Sequence, residues 1–333
     1  MSETHLTLDK VGKTYRVGGK GLFRKPRPLY AVDDVSLTVM RGETLGLVGE
    51  SGCGKSTLSR LIMHLERPTA GTVRFEGRDL NMASANDLHC ARRKFQMVFQ
   101  DPYASLNARM SARAILSEAL INYRFGSRAE IAARVEHIAT QCGLSAYHLD
   151  KYPHELSGGQ CQRIGIARAI ALEPTLIVAD EPVSALDVSI QAQIINLILS
   201  LQEAMGLTLV FVSHDLSVVA HIADRVAVMY LGRIIELAPV QDLFAGGAHP
   251  YTRTLLAAAP RPVPAARHRR QSVAGELPSP LDPPAGCHFR PRCPHAREKC
   301  AAERPALRTF RAGHTVACHF AEEIAAECTQ GEH

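Results

Sequence analysis

Short apolar runs rich in β-branched residues punctuate the first two thirds of the chain: Thr44–Val48, Phe95–Phe99, Thr175–Ala179 and Thr208–Val212. Each is continuous rather than alternating, the pattern of a strand buried on both faces. Val226–Tyr230 and Ile234–Glu236 flank Gly232 and predict a hairpin that turns there. Helical stretches separate the runs, so the pattern predicts an α/β domain with a largely parallel sheet over residues 1–247. From about 101 to 157 the β-runs vanish. Ala112–Leu120 and Arg128–Gln141 have helical character there, which predicts a helical insertion. From 248 to 333 the pattern changes again. Pro260, Pro262, Pro264 and the basic run Arg267, His268, Arg269, Arg270 predict a linker into a small cysteine-rich appendix.

Composition narrows the class without deciding it. The 333 residues are 46% hydrophobic and 21% charged, with mean hydropathy −0.05 and formal net charge +5. That is enough apolar material for a full core, and about two structural units by length. The longest uncharged run, Val188 to Gln202, is broken by Ser, Gln and Asn, so no membrane span is expected. The first residues lack a basic and then apolar leader, so secretion is not expected. Nine cysteines suit a reducing cytosol better than a disulfide framework.

The chemistry begins at Gly49, Glu50, Ser51, Gly52, Cys53, Gly54, Lys55 and Ser56, which match G-x-x-x-x-G-K-[ST] after a predicted strand and before a predicted helix, with Thr57 next to them also expected to bind ATP. Glycines let backbone N–H groups converge on phosphate oxygens at a helix N-terminus. Lys55 would bridge the β- and γ-phosphates of ATP, and Ser56 would ligate Mg²⁺. A carboxylate for that ion should end another buried strand, and Leu176–Ala179 followed by Asp180 and Glu181 supplies it. Asp180 is expected to hold Mg²⁺ and Glu181 to serve as general base for the attacking water.

Leu156, Ser157, Gly158, Gly159 and Gln160, with Gln162 and Arg163 after them, resemble the signature of ATP-binding-cassette (ABC) ATPases. The likeness covers about residues 5 to 245 and implies an ABC ATPase core. It implies Gln100 as the Q-loop residue, a catalytic group and Mg²⁺ ligand. Ser184 to Asp187 resembles the D-loop, with Asp187 its acid; His214 resembles the switch histidine, and Tyr15 the aromatic that stacks on adenine. Tyr15 read alone is an ordinary surface tyrosine. In such ATPases the signature acts on the γ-phosphate bound by the opposite subunit, an arrangement in keeping with the free N–H groups of a helix N-terminus.

A narrower likeness spans nearly the whole chain. Gln100–Asn107, Asp180–Ser189, His249–Thr252, Gly275–Leu281 and Gly286–Pro294 resemble the ATP-binding subunits of dipeptide and oligopeptide importers, of the kind that pairs with a second, non-identical ATPase. This implies a motor subunit peripheral to the cytoplasmic face of the inner membrane. It implies as partners a homologous ATPase, two permease subunits docking near Gln100 and the insertion, and indirectly an extracytoplasmic peptide-binding protein; no nucleic acid is expected. Ala108 departs from the proline usual there, and Cys161 stands where such chains often carry Arg or Gln. Import of nickel or another small solute stays open. So does a soluble ABC ATPase acting on nucleic acid or ribosomes, although DNA-repair versions place a long coiled coil between the positions of Lys55 and Asp180, and translation-factor versions carry two cassettes.

Cys287, Cys293, Cys300 and Cys318, spaced C-x5-C-x6-C-x17-C, suggest one shared ligand. Zinc sites commonly use closer pairs. Related peptide importers hold a [4Fe-4S] cluster at such cysteines, so the resemblance implies that cluster, with Zn²⁺, or free or disulfide-bonded thiols, as the alternatives.

Overall fold

The computed structural model describes residues 3–18, 26–258 and 278–330, with side chains to 326. The expected linker, Pro260 to Arg270, and the start of the Gly275–Leu281 motif lie outside the described residues. The strands, in chain order, are β1 Thr4–Val17, β2 Arg27–Met40, β3 Thr44–Val48, β4 Ala70–Phe75, β5 Arg78–Asp79 and β6 Phe95–Val98. They continue as β7 Leu176–Asp180, β8 Thr208–Ser213, β9 Arg225–Tyr230, β10 Arg233–Pro239, β11 Arg308–Arg311 and β12 His314–Val316. The chain divides into two compact units. The first comprises residues 1–5, 39–44 and 82–212; the second comprises 6–38, 45–81 and 213–333.

In the first unit β6, β7 and β8 pair in parallel, in the registers Phe95↔Leu176 and Leu176↔Thr208. Every residue of β7 and β8 is buried, as continuous apolar runs require. The insertion is helical as expected. Helices Ala112–Asn122 and Arg128–Gln141 start at Ser111 and Ser127, whose hydroxyls accept from the N–H groups of Ala114 and Glu130. Both pack on the helix Gly158–Ile170, and Leu116, Leu120, Val135, Ile138 and Ile164 are buried among them.

The second unit corrects the expected sheet. β3 and β9 are parallel, but β9–β10, β10–β12 and β12–β11 are antiparallel, so the sheet is mixed. The tight turn Leu231–Gly232, with φ of 42° and 81°, makes the antiparallel hairpin that the sequence predicts, and the unpredicted strands β12 and β11 add further antiparallel pairs at its edge. A further four-stranded sheet, in the order β2-β1-β4-β5, is antiparallel at β1–β4 and β4–β5.

The C-terminal segment does not stand apart as an appendix. β12 extends the sheet at β10, pairing Val316 with Glu236. Glu236 has 0% exposure. Its carboxylate accepts from the N–H groups of Ala248 and His249, from the Thr252 hydroxyl, and meets His314 Nε2 at 2.8 Å. Burial pushes this carboxyl up, but hydrogen bonds from His314, Thr252, Ala248 and His249 outweigh it and hold it below the usual range. No helix among the described residues is long and apolar enough to cross a membrane.

Candidate functional site

The site residues fall in both units, and each unit builds its own set. In the second unit, buried β3 delivers the chain to Gly49. A side chain at Gly49 would meet the Met229 carbonyl at 2.2 Å, and one at Gly54 would meet that of Ala31 at the same distance. Gly54 also has φ 110° and precedes the helix Lys55–Ile62, so glycine is required at both ends of the loop. Lys55 is 4% exposed, and its ammonium donates to the carbonyls of Gly49 (2.7 Å) and Glu50 (3.1 Å). A buried cation held by its own loop is a charge set to receive an anion. Cys53 is buried, and burial pushes its thiol up. Ser56 and Thr57 are half-buried in the first helical turn, whereas Ser51 and Gly52 are exposed.

Tyr15 belongs to the same unit as this loop. Its hydroxyl donates to Glu66 at 2.5 Å, and Lys13 Nζ stands 5.2 Å from the ring centroid. Burial, and after it Glu66, raises the pKa of the phenol. His214 is exposed just past β8. Beside it, Asp215 caps the helix Leu216–Ile222 by accepting from the Ser217 N–H at 2.8 Å.

In the first unit, Asp180 ends β7 with 5% exposure, and Glu181 turns out of the strand at φ 46°. The Gln100 amide donates to the Glu181 carboxylate at 2.9 Å. The Glu181 carbonyl accepts from the Ser184 hydroxyl at 3.0 Å. Asp187 is the N-cap of the helix Val188–Met205. Ser157 caps the signature helix: its hydroxyl accepts from the Gln160 N–H, and the Gln160 side chain accepts from the Ser157 N–H at 2.9 Å. Gln160 Nε2 stands 3.1 Å from His148 Nε2. Gly159 packs on the helix after Asp187, where a side chain would come within 2.7 Å of Ile190. Gln100 and Glu181 are thus brought together, as are the signature and the D-loop.

Two residues that sequence reasoning gave no role reach the phosphate loop. Arg292 pairs with the Glu50 carboxylate, and Tyr251 accepts from the Glu50 N–H. Glu50, first among its neighbours, pushes the Arg292 pKa further up. Both residues lie in stretches that drew attention, His249–Thr252 and Gly286–Pro294, but 242 positions separate Glu50 from Arg292.

The expected iron–sulfur cluster is overturned, and the zinc alternative with it. Cys287, Cys293, Cys300 and Cys318 line one small cavity with Phe289 and Phe320, but among the described residues no group of three or more His, Cys, Asp or Glu is set to hold a metal ion. The thiols of Cys287, Cys293 and Cys318 are pushed up by burial, the latter two to about 11. The segment is held by ordinary packing and ion pairs: Phe289, Val316 and Ile324 are at most 2% exposed, Arg297 pairs with Glu323 and Arg308 with Glu322, and Phe289 stacks edge-on against Tyr230.

Residues 32–184 match the family described as ABC transporter, and residues 235–300 match the oligopeptide/dipeptide transporter C-terminal region. Over 312 residues the chain is 49% identical to the dipeptide transport ATP-binding protein DppF of Haemophilus influenzae, spanning 93% of this chain and 95% of that protein. Over 313 residues it is 50% identical to the oligopeptide transport ATP-binding protein OppF of Salmonella typhimurium, 93% of each chain. The chain belongs to the family of peptide ABC-transporter ATP-binding proteins. Among solved structures, its fold is similar to the ATP-binding cassette MJ0796, in a dimeric post-hydrolysis state bound to ADP and Pi. The TM-score is 0.64 at 32% identity, over 71% of this chain and 98% of that one. The chain is therefore an ABC ATPase. The relatives are named for peptide, dipeptide and oligopeptide transport, which leaves a nucleic-acid or ribosome ATPase and a nickel importer without support.

Proposed function

We propose that this chain is the ATP-hydrolysing subunit that drives di- or oligopeptide import through separate permease subunits, at the cytoplasmic face of the inner membrane. The observation that carries the reading is the phosphate loop between β3 and the helix Lys55–Ile62, in a chain related to peptide-transport ATPases over more than nine tenths of its length. Residues 1–247 form the nucleotide-binding domain, with the insertion near 101–157, and 248–333 the C-terminal region.

The loop from Gly49 to Thr57 binds the ATP phosphates, Lys55 neutralising the β- and γ-oxygens, and Tyr15 stacks on adenine. Ser56, Gln100 and Asp180, an all-oxygen set that suits a hard cation, would hold Mg²⁺, which would offset phosphate charge. Glu181 accepts the proton of the attacking water, and His214 supports the γ-phosphate. Ser157, Gly158, Gly159 and Gln160 present a capped helix N-terminus to the nucleotide held by a second, homologous ATPase, and Asp187 lies at the same interface. A peptide-binding protein outside the membrane delivers the cargo. Copurification tests the assembly: the tagged chain should bring down one homologous ATPase and two permeases. Recovery of ribosomes or nucleic acid in place of permeases would refute it.

A further inference from the structure

The first corner of the phosphate loop is tied to residues far along the chain, all within one compact unit. The Arg292 guanidinium makes two parallel hydrogen bonds to the Glu50 carboxylate, Nη1 to Oε2 and Nη2 to Oε1, both 2.9 Å. The Arg292 side chain is only 5% exposed and that of Glu50 24%. The Glu50 backbone N–H donates to the Tyr251 hydroxyl at 2.9 Å. Tyr251 is wholly buried, its ring 4.7 Å from that of Tyr230 and 5.4 Å from that of Phe289. The Arg292 guanidinium lies 5.9 Å from the Tyr230 ring. The anchor is therefore rigid.

Glu50 puts a negative charge into a loop built to receive a polyanion, and like charges at close range oppose binding. A planar guanidinium matched to the carboxylate in a fork offsets that charge and fixes its direction. The Tyr251 hydroxyl accepts from the Glu50 N–H and so restrains the adjacent backbone of the loop.

We propose that Arg292 and Tyr251 are positioning residues for ATP: they set the charge and the shape of the loop at Glu50, so that the C-terminal segment tunes nucleotide affinity. The proposal rests on the phosphate loop being the ATP site, and Lys55→Ala separates the two questions. ATP with Mg²⁺ is titrated into the purified full chain by calorimetry, with circular dichroism confirming the fold of each variant. Arg292→Met should weaken ATP about tenfold or more, the reach of one charge-assisted pair. Arg292→Lys, which keeps charge without the fork, should fall between. Adding Glu50→Gln to Arg292→Met should recover most of the loss, because the unbalanced charge is gone. Tyr251→Phe should weaken ATP a few-fold. Full affinity in Lys55→Ala overturns the ATP-site reading itself. Loss in Lys55→Ala with unchanged affinity in Arg292→Met overturns this proposal alone. A double variant no better than Arg292→Met also overturns it, since the arginine would then serve only the fold.

Discussion

The Gln100 side-chain amide donates to the Glu181 carboxylate at 2.9 Å, while the Glu181 backbone leaves its strand in the left-handed region at φ 46°. A hydrogen bond to a charged acceptor fixes the direction in which that acceptor can take a proton. Under the proposed reading, in which Glu181 is the general base, this bond joins two residues 81 positions apart in one step. Gln100→Ala should lower turnover of the assembled complex by about tenfold or more, the worth of such a bond, while ATP affinity moves less than about threefold. Steady-state hydrolysis beside equilibrium nucleotide binding separates the two. Unchanged turnover would mean Glu181 is oriented by other groups.

The signature offers a test that crosses subunits. The Ser157 hydroxyl accepts from the Gln160 N–H, and the reading places this cap on the nucleotide of the partner ATPase. Ser157→Arg should block the partner's site and spare this chain's own. Site-resolved nucleotide trapping in the complex should show the defect at the partner's loop; a defect confined to the site of Lys55 would contradict the arrangement.

Much of this was legible in the sequence because the informative residues are neighbours along the chain. The loop from Gly49 to Thr57, the acids Asp180 and Glu181, and the cap at Ser157 each declare themselves within a few positions. The helix Arg128–Gln141 matches its periodicity end to end. The sheet β2-β1-β4-β5 went unread. In β2, Val35, Leu37 and Val39 are buried in alternation with exposed polar neighbours, a weaker signal than a continuous run. The four cysteines misled for the opposite reason. Thiols stand out in a sequence, whereas the burial of Phe289 against Tyr230 and Tyr251 and the bond from His314 to Glu236 come from distant segments. The pair Glu50–Arg292 was hidden in the same way.

The junction around Glu236 sets an acid limit on stability. Burial holds His249 and His288 down to about 4, for His288 with Arg304 and Arg233 adding to it. An unfolded histidine titrates near ~6.5. Between these values the unfolded chain binds protons that the folded chain does not, so stability is full above about pH 6.5 and falls as pH drops towards 4. Each histidine contributes a slope of up to about 1.4 kcal/mol per pH unit. Glu236, held low, adds a further loss as pH falls through the carboxylate range. Thermal midpoints should decline from pH 7 to pH 5, and His249→Gln should flatten the decline.

At neutral pH, Glu236→Ala should cost about 3–5 kcal/mol, because it leaves buried donors, including His314, without their acceptor. Urea unfolding measures this loss. A cost below about 1 kcal/mol would show that the C-terminal segment is held by packing alone.

Uptake of a labelled di- or oligopeptide into proteoliposomes carrying the assembled complex, with ATP on the side of this subunit, tests the central claim most directly. The wild-type complex should accumulate peptide only with ATP and Mg²⁺. Glu181→Gln should still bind ATP yet lose uptake and hydrolysis by at least about 100-fold, the typical reach of a general base. Undiminished ATP-driven uptake in Glu181→Gln, or no ATP-dependent peptide uptake by the wild type, would contradict it.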